Sequence, residues 1–94
     1  MSGAPILLEL PSAVREAALL PLPLLLAASD VAELLDALAH HAPLAERMVR
    51  DEQGRLRPHL ALFVNEVARR GPTLRTTPLQ PGDRVTILPA VSGG

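Results

Sequence analysis

The side chains most often used in catalysis are few and poorly placed in this 94-residue chain. His40 and His41 are adjacent, so they cannot share one helix face and make a poor metal clamp without further ligands. A polar helix end, where the dipole favours a cation, explains them better. Ser12, Ser29 and Ser92 lack the sequence context of a nucleophile elbow, and no glycine-rich phosphate loop is present. The chain is therefore predicted not to be an enzyme.

Composition excludes further kinds of chemistry. The sequence has no cysteine, and all nine of its basic residues are arginine. Disulfides, thiolate metal sites and lysine Schiff bases are thus excluded, and we expect no metal and no cofactor bound by the chain itself. A formal net charge of −1 and an aromatic content of 1% argue against nucleic acid as a partner, because neither a basic field nor a stacking platform is present.

The carboxyl end offers a different reactive group, which belongs to the backbone. Gly93 and Gly94 place no side chains beside the terminal carboxylate, and their backbone takes conformations that other residues resist. Six residues counted from Pro89 reach at most ~20 Å, enough to enter a narrow tunnel in another protein. A frayed terminus is the better explanation of the two glycines when they are considered alone.

Hydrophobic patterning predicts the elements that must position this end. Asp30 is a predicted N-cap, with Glu33 reaching back to its amide, and Val31, Leu34 and Leu38 lie on one apolar helix stripe that ends near residues 41–43. Strands are predicted over residues 5–10, 22–27, 59–64 and 84–88, a helical turn or loop over 12–18, a short helix over 44–49, an irregular region over 65–77 and a turn over 80–83. The fold class is therefore α+β, with the main helix packed across one face of a mixed sheet.

An apolar run over residues 17–28 fits neither a membrane span nor an export signal. It contains Pro21 and Pro23 and is shorter than the ~20 residues that a membrane span needs. Glu9 and Glu16 precede it where a secretory signal carries basic residues. We therefore expect a cytoplasmic protein with no membrane partner.

The end of the chain, taken with its central strand and helix, resembles a known family. Residues 79–94 (LQPGDRVTILPAVSGG) are similar to the carboxyl signature of the ubiquitin-like sulfur carriers of the MoaD/ThiS family, and the tail lies closest to the CysO cysteine-synthesis type. Residues 62–65 (LFVN) resemble the family's central strand and turn, and residues 30–38 resemble its helix. The resemblance implies a β-grasp domain over residues 1–89 and a flexible tail over residues 90–94.

The family's mechanism assigns the reactive role to the tail. It implies that an activating adenylyltransferase of the MoeB/ThiF type uses ATP to adenylate the Gly94 carboxylate, and that sulfur then displaces AMP to leave a thiocarboxylate. The acceptor would be a cysteine synthase homologue, the large subunit of molybdopterin synthase, a thiazole-synthase-like enzyme or an enzyme of a sulfur-containing natural product. The tail residues that the partner's tunnel would recognise are Ala90, Val91, Ser92 and Gly93.

The resemblance also suggests a docking patch and leaves one segment in question. By analogy, Phe63 and nearby apolar residues would contact partner proteins, although an ordinary place in the core explains Phe63 as well. Residues 66–72 (EVARRGP) depart from the family, which often has glycine directly after Val-Asn. Two other functions remain open: a ubiquitin-like modifier that joins Gly94 to lysines of other proteins, and an interaction module with an inert tail.

Overall fold

Five strands and three α-helices make up the computed structural model of this chain, which describes residues 4–21 and 23–90. The strands are β1 (Ile6–Glu9), β2 (Leu24–Leu26), β3 (Leu60–Val64), β4 (Val67–Arg69) and β5 (Arg84–Pro89). The helices are α1 (Ser12–Ala18), α2 (Val31–His41) and α3 (Pro43–Val49), and a 3-10 turn covers Leu74–Thr76.

One mixed sheet organises the described residues, in the strand order β2-β1-β5-β3-β4. β5 is its central strand and runs parallel to β1, while every other neighbouring pair is antiparallel. The inward side chains of β5, Val85 and Ile87, have no exposed surface. The strand that leads into the tail is therefore paired on both sides and anchored in the core.

Helix α2 buries the apolar stripe that the sequence predicted. Val31, Leu34 and Leu38 have no exposed surface, and Leu35 is 1% exposed. The Asp30 carboxylate accepts a hydrogen bond from the Glu33 amide at 2.8 Å, which confirms the predicted N-cap. The Glu33 carboxylate, however, accepts from the backbone N–H and the hydroxyl of Ser29 and not from the amide of Asp30, so that part of the prediction was wrong.

The region predicted as irregular, residues 65–77, contains strand β4 and the 3-10 turn. Asn65 and Glu66 form the tight turn between β3 and β4, and both have positive φ angles, 50° and 73°. Asn-Gly is the strong sequence signal for such a turn because glycine accepts positive φ without a steric cost. Because glutamate occupies the second position of this turn, the sequence does not indicate a hairpin here.

Replacing that glutamate gives the first prediction. Glu66→Gly is expected to raise the free energy of unfolding by about 0.5–1 kcal/mol, because a residue with a Cβ is strained at positive φ. Urea denaturation measures the change. Ala68→Gly, two residues along in β4, is the matched control and should lower the free energy of unfolding by a similar amount. A lower stability for Glu66→Gly would contradict the strained turn.

Candidate functional site

The carboxyl tail leaves the fold at the end of the central strand. The Ala90 amide donates a hydrogen bond of 2.8 Å to the His59 carbonyl, which extends the pairing of β5 with β3 by one residue. The Ala90 side chain is exposed. The base of the predicted tail is therefore fixed to the sheet and open to a partner. Val91, Ser92, Gly93 and Gly94 lie outside the described residues, so their predicted roles stay predictions.

Two signature motifs that are far apart in sequence meet at the other end of β5. The Asn65 side chain donates to the Asp83 carboxylate at 2.9 Å and accepts from the Arg84 amide at 3.0 Å. The second carboxylate oxygen of Asp83 accepts from the Gln80 amide at 2.8 Å. The Val-Asn and Gly-Asp signatures thus tie the β3–β4 turn to the turn that starts β5. Sequence reasoning used both motifs for recognition and missed this structural link.

Phe63 lies on the sheet face that carries no helix. Its neighbours Leu62 and Val64 point toward the helices and are buried, whereas Phe63 is half-buried and is paired with Thr86 of β5 and Ala68 of β4. The open sheet face also carries large apolar side chains with considerable exposure, namely Leu25 (57%) and Leu88 (44%). Phe63 is therefore outside the buried core, on an open sheet face that carries both apolar and polar side chains.

Two carboxylates whose pKa values are shifted serve local structure. The pKa of Glu33 is lowered, first because the Ser29 backbone N–H donates to its carboxylate and then because the Ser29 hydroxyl does. The pKa of Asp51 is lowered mainly by the backbone N–H of Arg55, with a further contribution from that of Gln53. Both carboxylates are thus held ionised by turns and caps.

Residues 4–21 and 23–90 contain neither a metal-binding cluster nor a membrane-spanning helix. No cluster of histidine, aspartate or glutamate side chains there could hold a metal ion, and His40 and His41 are exposed at the end of α2. No helix in the same ranges is long and apolar enough to cross a lipid bilayer.

Comparison with known proteins identifies relatives of this fold. The sequence profile described as the ThiS family matches residues 14–94. CysO of Mycobacterium tuberculosis has a TM-score of 0.81 and 22% identity, over 92% of this chain and 99% of that chain. A chain of the Amycolatopsis orientalis BexX/CysO complex gives 0.79 and 23%, over 95% and 99%. At these identities the likeness concerns the fold, and it confirms the predicted β-grasp architecture.

A further solved structure belongs to a protein named as a modifier. Small archaeal modifier protein 1 of Methanosarcina acetivorans has a TM-score of 0.74 and 29% identity, and the match covers 97% of each chain. No curated protein sequence matches this chain significantly.

Proposed function

This chain belongs to the ThiS family of ubiquitin-like sulfur carriers, and on that premise we propose that it carries sulfur as a thiocarboxylate on Gly94. One observation carries the proposal: the family match runs through Gly94, while the last described hydrogen bond to the sheet is made by Ala90. Four residues beyond Ala90 reach about 14 Å when extended. A tail of that reach enters a partner's active site while the folded body remains outside.

The proposed chemistry exchanges one oxygen for one sulfur. A carboxylate oxygen of Gly94 attacks the α-phosphorus of ATP in the activating enzyme, and pyrophosphate leaves. Sulfide then attacks the acyl carbon of the adenylate; where a persulfide donor attacks instead, the product is an acyl disulfide, and a thiol must reduce its S–S bond to release the thiocarboxylate. AMP leaves with the oxygen that had attacked, and sulfur stays on the carbonyl carbon. Two adjacent glycines suit this route because they place no side chain near the reacting carbon.

The chain acts in this scheme as a substrate of two enzymes in the cytoplasm. Catalytic acids and the ATP site belong to an activating enzyme of the MoeB/ThiF type, and the sulfur acceptor is a biosynthetic enzyme. The complex of BexX with CysO supports a protein partner, because a protein with this fold is found there with a second protein. The tail residues that occupy the partner's tunnel are Ala90, Val91, Ser92 and Gly93.

The activation step provides the test. The purified chain is mixed with ATP and a MoeB/ThiF-type enzyme from the same organism, and pyrophosphate release is followed as the chain is titrated. We expect release that saturates with the concentration of the chain. Release that does not depend on the chain, at any concentration, would reject the proposal.

A second candidate function follows from the likeness to small archaeal modifier protein 1. In that case, the activated Gly94 is transferred to lysine amines of other proteins. The chain itself offers no lysine, so it cannot form chains on its own side chains. Intact-mass analysis separates the two products: a thiocarboxylate supports the carrier, and higher-mass conjugates with other proteins support the modifier.

Phe63 provides the prediction for docking. Phe63→Ala is expected to raise the KM of the chain for the activating or the acceptor enzyme about tenfold with kcat unchanged, because a half-buried aromatic on an open sheet face is the kind of residue that anchors interfaces. Leu19→Ala is the control, since Leu19 is 89% exposed and follows α1, away from the open sheet face. Unchanged KM values for both enzymes would contradict docking through Phe63.

A further inference from the structure

Five of the nine arginines line one groove at the edge of the sheet. The groove has a volume of about 900 Å³ and lies between strand β3, the segment that follows β4, and the loop before β3. Within the described ranges, no aspartate or glutamate lines it. We call it the arginine groove, after Arg55, Arg57, Arg69, Arg70 and Arg75.

Three of these arginines already have partners within the fold. Arg55 lies 3.7 Å from the Asp51 carboxylate, Arg57 donates to the Arg47 carbonyl at 2.9 Å, and Arg75 donates to the Gln53 carbonyl at 3.4 Å. These contacts hold one wall of the groove in place, and of the three only Arg55 is paired with a carboxylate in the described part of the chain.

Arg69 and Arg70 form the opposite wall and retain their full charge. Both residues are exposed, and neither makes an ion pair with a carboxylate of the described residues. Strand β4 ends at Arg69, opposite Leu62, so the first half of β3 has no strand on that side. The two cations therefore stand beside an open stretch of the sheet edge.

The groove adjoins the point where the tail leaves the fold. Ala90 is one of its lining residues, and Ala90 is bonded to the start of β3. Its floor is apolar and includes Leu56, Phe63 and Ala68. A protein that takes up residues 91–94 binds beside Ala90 and thus next to this surface, which combines an apolar floor with the positive charge of Arg69 and Arg70.

We propose that the arginine groove binds an acidic segment of the protein that takes up the tail, with aspartate or glutamate side chains paired to Arg69 and Arg70. The inference rests on the proposed function for the existence of that protein. Charge complementarity favours an acidic occupant, and the apolar floor favours a protein segment over a polyphosphate. Such pairs at an interface speed association and depend on salt, because screening shortens their range.

The test compares two pairs of substitutions that remove equal charge. The groove pair, Arg69→Gln with Arg70→Gln, removes both positive charges from one wall of the groove. The control pair, Arg15→Gln with Arg47→Gln, removes two positive charges from helices α1 and α3. A MoeB/ThiF-type enzyme from the same organism is the probe, and both pyrophosphate release and direct binding without ATP are measured. For the groove pair, we expect KM to rise about tenfold at ~50 mM salt and about twofold at ~500 mM, with kcat unchanged.

The other outcomes either overturn the inference or separate it from the proposed function. Equal effects of the two pairs show that the location of the charge is unimportant. A lower KM for the groove pair shows that the chain's own terminal carboxylate occupies the groove. A change in sedimentation of the groove pair alone shows that a second copy of the chain does. Binding that depends on the groove without pyrophosphate release keeps this inference and rejects the proposed function, and absence of both rejects the two together.

Discussion

A chain that lacks Gly93 and Gly94 is expected to release no pyrophosphate above background when mixed with ATP and its activating enzyme. The deletion shortens the tail by two residues, about 7 Å of reach, so the new terminal carboxylate stops short of the nucleotide. It also places the Ser92 side chain beside that carboxylate. Since activation needs near-contact geometry, a loss of at least a thousandfold in kcat/KM is expected, about 4 kcal/mol of transition-state stabilisation.

A matched control separates the tail's reach from the tail's composition. Ser92→Ala keeps the length and both glycines, and its kcat/KM should stay within about threefold of the unaltered chain. The folded body is the second control: the deletion should leave the thermal unfolding midpoint unchanged, because the last described hydrogen bond to the sheet is made by Ala90. Full activity after the deletion would favour an interaction module with an inert tail.

Truncation of the Leu34 side chain is expected to lower the free energy of unfolding more than any other substitution described above. Leu34 has no exposed surface and lies in the middle of the buried stripe of α2. Leu34→Ala should lower the free energy of unfolding by about 3 kcal/mol, from lost burial and from the cavity left behind. In a domain of this size, the midpoint of thermal unfolding should fall by roughly 12 to 24 °C.

The control for this prediction is another leucine on a helix. Leu44 of α3 is 51% exposed, and Leu44→Ala should cost less than about 1 kcal/mol. Calorimetry of the two variants measures both changes. Equal losses would mean that Leu34 does not carry the packing that its burial indicates.

Elements whose sequence signals lie within one short stretch of the chain were predicted. Helix α2 was predicted because its cap and its apolar stripe are contained in twelve consecutive residues, and both are present in the structure. Strand β5 was predicted over residues 84–88 because a turn precedes it and its inward positions are apolar, and the structure extends it by one residue to Pro89. Hairpin β3–β4 was missed because Glu66 occupies the position where glycine would mark the turn.

Features that join distant parts of the chain could not be predicted in this way. Strand periodicity placed Phe63 on the opposite face from Leu62, but only the helix positions show which face is covered. The arginine groove unites residues 55–57 with residues 69–75, and nothing in either segment alone indicates the other. The link between Asn65 and Asp83 likewise spans 18 positions and depends on the pairing of β3 with β5.

The central claim is that sulfur is carried on the carbonyl carbon of Gly94. The most direct measurement is the intact mass of the chain after incubation with the activating enzyme, ATP and sulfide, followed by fragmentation of its carboxyl-terminal peptide. We predict an ATP-dependent gain equal to one exchange of oxygen for sulfur, located on Gly94. An unchanged mass despite pyrophosphate release, or added sulfur on any other residue, would contradict the claim.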